Sequence, residues 1–199
     1  MAQSQISYRI SGNHRVTAYF VRGPDQNISN KMDILFRSKL FQVVRRFQTG
    51  RSGDLLERHV ILHPGAITIL PILSDGRVVL LKQYRVAVEK YLIELPAGTR
   101  EPDEEPIITA GRELTEETGY IAGRIEPLTV FYSSPGILHE EMHLFLATDL
   151  RPGPSNLEDG EDIQVVLADW AEVRRMIFAG EIQDAKTLVG LLWYLAKIS

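Results

Sequence analysis

The stretch from Gly98 to Tyr120, GTREPDEEPIITAGRELTEETGY, constrains this chain more than any other. Pro106 suits a first helical turn, where its missing N–H is no loss, and Gly119 suits a left-handed stop, so a helix is predicted between them. Asp103, Glu104 and Glu105 then lie at the positive end of the helix dipole. At about 100° per residue, Glu113, Glu116 and Glu117 share roughly a third of the circumference, beside an apolar stripe of Ile107, Ala110 and Leu114. The like-charged i,i+4 pair Glu113 and Glu117 costs the isolated helix about 0.2 to 0.5 kcal/mol. The stretch contains no lysine to neutralise it. An acidic run is usually a solvated face, and here the spacing argues otherwise.

Gly98, five residues, Glu104, seven residues, then Arg112-Glu113-Leu114-Thr115-Glu116-Glu117-Thr118-Gly119 resembles the Nudix box. Every fixed polar and glycine position of that pattern matches, as does Leu114. The one departure is Tyr120 at a position for a bulky apolar residue, and a tyrosine ring still packs. A motif this long and irregular is a strong signal. The resemblance implies an α/β (α+β) fold, the Nudix α/β/α sandwich with a mixed β-sheet, over residues 60–199. Residues 1–59 are left as an accessory β region. It also implies hydrolysis of a phosphoanhydride, with Glu113, Glu116, Glu117 and the Ala97 carbonyl as ligands of Mg²⁺, or of Mn²⁺ as its substitute. Hard oxygen donors on a rigid helix suit Mg²⁺, which assists attack of water on a phosphorus shielded by negative oxygens. Arg112 would orient the carboxylates and, with Glu116, belongs to the catalytic set. Glu104 is a ligand or a partner of Arg112, with the structural role preferred.

At 199 residues, 44% hydrophobic and 24% charged, the chain has the size and balance of one well-buried domain. A net charge of −4 gives no case for nucleic-acid binding. The absence of cysteine excludes disulfides, zinc–thiolate sites and thiol nucleophiles. No apolar run reaches the roughly 18 residues of a membrane span, and the start MAQSQISYRISG lacks a signal-peptide pattern, so a cytoplasmic location is the default expectation.

Along the chain, Tyr8–Ile10 and Val16–Val21 read as strands around Ser11-Gly12-Asn13, and Gly23 to Asn27 as a loop. Phe41–Phe47 and Leu55–Leu62 form a predicted hairpin with Arg51 at its tip. Ala66–Leu73 is a buried strand, Asp75-Gly76 a hairpin turn, and Arg77–Tyr84 its returning partner. Tyr91–Leu95 then leads through Pro96-Ala97-Gly98 into the acidic helix. Leu128–Tyr132, His143–Thr148 and Ile163–Leu167 read as strands, with an acidic loop over 152–162. Two helices follow, Ala171–Phe178 and Ala185–Ile198, the second capped by Asp184 and burying Leu188, Leu191, Leu192 and Leu195. His139 and His143 read as ordinary polar positions, and Trp170 and Trp193 as packing residues.

Outside the box, Gln83-Tyr84-Arg85, Glu94-Leu95-Pro96-Ala97-Gly98, Ser134-Pro135-Gly136 and Gly180 to Thr187 resemble the ADP-ribose pyrophosphatase branch. The implied reaction splits ADP-ribose or a related nucleoside diphosphate sugar into a nucleoside monophosphate and a sugar phosphate. Arg85, Glu94, Pro135 and Arg51 are the implied substrate-side residues. Arg85 either holds phosphate with its guanidinium fork or pairs with Glu89 or Glu94 at a strand end. Glu161, and after it Glu158, fits the general base of a late loop, against the plainer reading of a solvated acidic loop. Members of that branch are usually homodimers, and the Phe41–Leu62 hairpin is the candidate arm, bringing Phe47 or Arg51 to the partner's ligand. The alternatives are a GDP-sugar or other nucleotide-sugar pyrophosphatase and, in another class, a nucleotide-sensing module without catalysis.

Overall fold

Strands dominate the chain up to residue 99, and helices dominate its end. A computed structural model describes residues 3–9, 15–21, 33–101, 103–157 and 162–198. β1 (Gln3–Arg9) pairs antiparallel with β2 (Arg15–Val21). β3 (Asp33–Arg37), β4 (Gln42–Thr49) and β5 (Leu55–Leu62) form an antiparallel meander. After β6 (Ala66–Pro71), β7 (Val78–Arg85), β8 (Lys90–Glu94) and β9 (Ala97–Thr99) comes the acidic helix α1 (Pro106–Thr118). β10 (Tyr120–Tyr132), β11 (Leu138–His139), β12 (Glu141–Pro152) and β13 (Ile163–Ala168) precede α2 (Trp170–Phe178) and α3 (Ala185–Ile198).

The central sheet runs β10-β12-β6-β9 and is mixed: β12 is parallel to β6 and antiparallel to β10. Strand alternation divides its side chains between two cores. Ile67, Ile69, Phe145 and Ala147 meet Ala110 and Leu114 of α1 on one face. Leu70, with Val78, Leu80 and Leu95, meets Val173 and Met176 of α2 and Leu191 of α3 on the other. A helix layer on each face of a sheet is the expected α/β/α arrangement. The second sheet, β13-β7-β8, completes the α2 and α3 side.

Several local expectations are corrected by this packing. The Asp75-Gly76 turn forms, with Leu73 N–H donating to Arg77 O at 2.9 Å, yet the two predicted arms share only one bridge, Ile72 with Val78, just beyond the end of β6. Both sides of β6 are already taken by β12 and β9, so β7 pairs instead with β8 and β13. β10 and β12 are far longer than the predicted strands, because a register shift at Pro127 lets pairing continue to Tyr120 and Pro152. β3, β9 and β11 lacked a readable pattern. On α1 the buried face is Thr109, Ala110, Leu114, Glu117 and Thr118, while Ile107 is 41% exposed. On α3, Leu192 points outward, and Gly190 replaces it in the core: a Cβ there would stand 2.6 Å from Leu95 Cδ1. Trp170 packs, stacked on Tyr194 at 5.2 Å.

Candidate active site

The acidic helix lies against β9, whose three residues are the turn of chain entering it. α1 starts at Pro106 and ends on Gly119 at φ 70°, where the Gly119 N–H donates to Thr115 O at 2.9 Å. Between these stops the helix phase is fixed by Ala110 and Leu114 in the core, and Glu117 follows them inward to 4% exposure. A buried carboxylate needs a donor. The Ala97 N–H supplies one at 2.9 Å to Glu117 Oε2. Glu113 lies one turn earlier and presses its carboxylate on Gly98, where a Cβ would stand 2.0 Å from Glu113 Cδ. Only glycine leaves room for that acid.

Arg112 answers the repulsion among the acids. Its Nη1 donates to Glu116 Oε2 at 2.8 Å and stands 2.9 Å from Glu113 Oε1, while Nη2 reaches Glu104 Oε2 at 3.4 Å. Burial works against the charge of Arg112, and its carboxylate partners, Glu104 first, outweigh this and raise its pKa. The hydrogen bonds from Arg112 and Thr109 hold Glu104 below the usual carboxylate value. Among the described residues no three acidic or histidine side chains already converge on one point. Arg112 instead supplies the positive charge between Glu113 and Glu116. The donor set nevertheless suits a hard divalent cation: carboxylates of Glu113 and Glu117 meet the backbone of Ala97 and Gly98, and the missing Cβ of Gly98 makes the room that the Glu113 carboxylate occupies.

Two clefts of about 330 Å³ each meet along Arg85, Ala97, Gly98 and Thr99. One is lined by the acids, with Glu113, Glu117, Arg112 and Arg100. The other is lined by His63, Ser133, Glu140, Met142, Asp184 and Lys186. Arg85, at the end of β7, stands in the wall common to both. Its Nε and Nη2 donate to Glu94 Oε1 and Oε2 at 2.8 and 2.7 Å, so the pairing with Glu94 forms and that with Glu89 does not. Glu94 is 1% exposed and also accepts from Lys186. Burial works to raise its carboxyl, yet Arg85 and Lys186 outweigh burial and hold it below its ordinary value. In the second cleft Ser133 Oγ donates to Glu140 Oε2 at 2.5 Å.

Other expected residues lie apart. Pro135 lines a separate cavity of about 210 Å³ with Val60, Tyr132 and His139. Arg51 sits in the exposed turn between β4 and β5. Glu158 and Glu161 fall outside the described residues, although the ends of their loop do not. Asn156 N–H donates to Glu116 O at 3.1 Å, and Asp162 accepts from Tyr84 N–H at 3.2 Å and from the Tyr91 hydroxyl. Lys186, Asp184, Ser133 and Glu140 were not singled out from the sequence as site residues. Asp184 and Lys186 had a signal in the short segment Gly180 to Thr187, whereas Ser133 and Glu140 only flank Ser134-Pro135-Gly136, and pattern alone brings none of them to β9.

The family model for the NUDIX domain matches residues 62–189. An ADP-ribose pyrophosphatase of Bacillus subtilis (strain 168) is 35% identical over 148 residues, covering 73% of this chain and 80% of the relative. A GDP-mannose pyrophosphatase of Escherichia coli O1:K1 / APEC is 37% identical over 140 residues, covering 66% of this chain and 72% of the relative. A solved ADP compounds hydrolase superposes with a TM-score of 0.73 at 24% identity, covering 87% of this chain and 97% of that one.

Proposed function

The chain belongs to the Nudix hydrolase family and is a pyrophosphohydrolase, and from that premise we propose that it hydrolyses the pyrophosphate bond of ADP-ribose or a related nucleoside diphosphate sugar. The observation that carries the reading is the shared wall: Arg85, Ala97, Gly98 and Thr99 line both clefts, and one of the two also holds Glu113 and Glu117 of α1. A diphosphate laid on that wall meets a guanidinium fork on one side and carboxylates on the other. Glu113, Glu116, Glu117 and the Ala97 carbonyl would hold Mg²⁺, with Mn²⁺ as substitute. When bound, such an ion neutralises the diphosphate oxygens and makes water more acidic.

This chain's own residues do the rest. Arg112 orients Glu113 and Glu116, and Arg85 binds phosphate while Glu94 holds it in place. Glu161, with Glu158 second, is the proposed general base. Support comes from the loop's described ends, one bonded to the Glu116 carbonyl and the other to Tyr84, one residue from Arg85. The sugar is assigned to the cleft with Glu140 and Ser133, whose described lining, His63 and Lys186 included, offers hydrogen-bonding groups. Residues 1–59 are proposed as an accessory β region and 60–199 as the hydrolase domain, in a homodimer that covers the exposed apolar side chains of β3 to β5. Phe36 there is 54% exposed and Leu55 57% exposed.

A panel of nucleoside diphosphate sugars with Mg²⁺ or Mn²⁺, read by released monophosphate, tests the reading. ADP-ribose should rank first. Preference for GDP-mannose would favour the second assignment, which the GDP-mannose pyrophosphatase similarity supports. Tight binding with no cleavage anywhere in the panel would favour a nucleotide sensor, against which stand the intact box carboxylates.

A further inference from the structure

The reading above gives Lys186 no task. Lys186, in the first turn of α3, directs its ammonium at Glu94 Oε2 and lies 3.0 Å from Asp184 Oδ2, with its side chain only 14% exposed. Burying a flexible cation costs solvation and rotamer freedom. Docking α3 on the sheet does not require it. Thr187 Oγ1 already accepts the Leu95 N–H at 2.7 Å, Gly190 already admits Leu95 at van der Waals closeness, and Asp184 already caps the helix through Thr187 N–H at 3.0 Å.

What Lys186 does change is the freedom of Glu94. The terminal torsion of a glutamate is broad, so a carboxylate held by one guanidinium can turn and take that guanidinium with it. A second cation arriving from a different element removes this motion. Of the five N–H donors of Arg85, Glu94 uses two, at 2.8 and 2.7 Å. The remaining three belong to a side chain that lines both clefts. We propose that Lys186 is a positioning residue which, by gripping Glu94 from α3, fixes the plane in which Arg85 presents those donors to the substrate diphosphate. The inference rests on the nucleotide-sugar reading, because it needs a diphosphate on Arg85.

Steady-state kinetics on ADP-ribose with the wild type, Lys186→Met, Lys186→Arg, Arg85→Ala and the double variant Arg85→Ala/Lys186→Met test it. Lys186→Met should raise KM roughly tenfold, the loss of one charge-assisted hydrogen bond, with kcat within about twofold. Added to Arg85→Ala it should change nothing further, since Lys186 acts through Arg85. Lys186→Arg keeps a cation on α3 and should stay within about threefold of the wild type. Independent, multiplicative losses in the double variant would overturn the proposal, as would an arginine variant as impaired as the methionine one. A wild type that cleaves no nucleotide sugar overturns the substrate reading instead. The same cycle is then read from calorimetric binding of ADP, where coupling between Lys186 and Arg85 must still be present.

Discussion

The carboxylate of Glu113 fills the space that any side chain at position 98 would need: a Cβ on Gly98 would stand 2.0 Å from Glu113 Cδ and 2.1 Å from its Oε1. Gly98→Ala therefore expels the end of a flexible acid and leaves the backbone where it is. Turnover should fall about 10²-fold or more, since displacement by an ångström suffices for that. The fold should lose only about 1 kcal/mol, the low end of overpacking costs. Thermal unfolding and turnover measured on the same preparation separate the two effects, and unaltered turnover would detach Glu113 from the chemistry.

Glu117→Gln keeps an oxygen to accept the Ala97 N–H, found here at 2.9 Å, and removes the charge. The expected result is a turnover about 10² to 10³ lower, the scale of losing one preorganised electrostatic group, with a circular dichroism spectrum like that of the wild type. Retained activity would remove Glu117 from the site.

Stripping divalent ions with a chelator should abolish turnover, and adding back Mg²⁺ or Mn²⁺ should restore it. Fixed carboxylates and a diphosphate repel one another until a cation stands between them. Full activity in excess chelator would refute the assignment of a cation to Glu113, Glu116 and Glu117.

Glu94 links stability to pH. Its carboxyl lies below the ordinary value of 4.5, so its contribution is complete above that value and is lost as pH falls through the lower folded value. The difference in unfolding free energy between wild type and Glu94→Gln should be roughly 1 to 3 kcal/mol near neutral pH, as for hydrogen bonds to charged groups. It should narrow as pH falls below 4.5 and close only below the lowered folded value, where the wild-type group takes up its proton. Denaturant titrations at several pH values check this; a gap that stays constant would contradict the sign.

The exposed apolar side chains of β3 to β5, Phe36 and Leu55 among them, should be covered by a second copy. Light scattering is expected to give twice the 22.5 kDa of one chain, and Phe36→Glu with Leu55→Glu should return the mass to that of the monomer by placing charges in the contact. A wild-type mass that is monomeric at every concentration would end the dimer proposal.

The acidic helix could be read almost complete from sequence because its signals are local. Pro106 and Gly119 mark its ends through their own backbone preferences, and the period of 3.6 residues alone puts Glu113, Glu116 and Glu117 on one side. The phase of its buried face was less legible. Ile107 belongs to the same apolar run as Ala110 and Leu114, yet it stays in solvent while Thr109 and Glu117 go inward. That choice depends on what β6 and β12 present to the helix, which no property of the helix contains.

What the sequence by itself determined is therefore the set of chemical groups and the short-range elements that carry them: the box acids, the helix beneath them, the turns and the caps. Tertiary structure alone decided which of those groups meet. It paired β7 with β8 and β13 instead of β6, closed Ala97 N–H on Glu117 across 20 residues, and brought Lys186 to Glu94 across 92. The physical reason is range. Backbone propensities and helical periodicity act within a few residues, whereas a buried charge finds its partner only after apolar packing has placed distant segments side by side and left it no water.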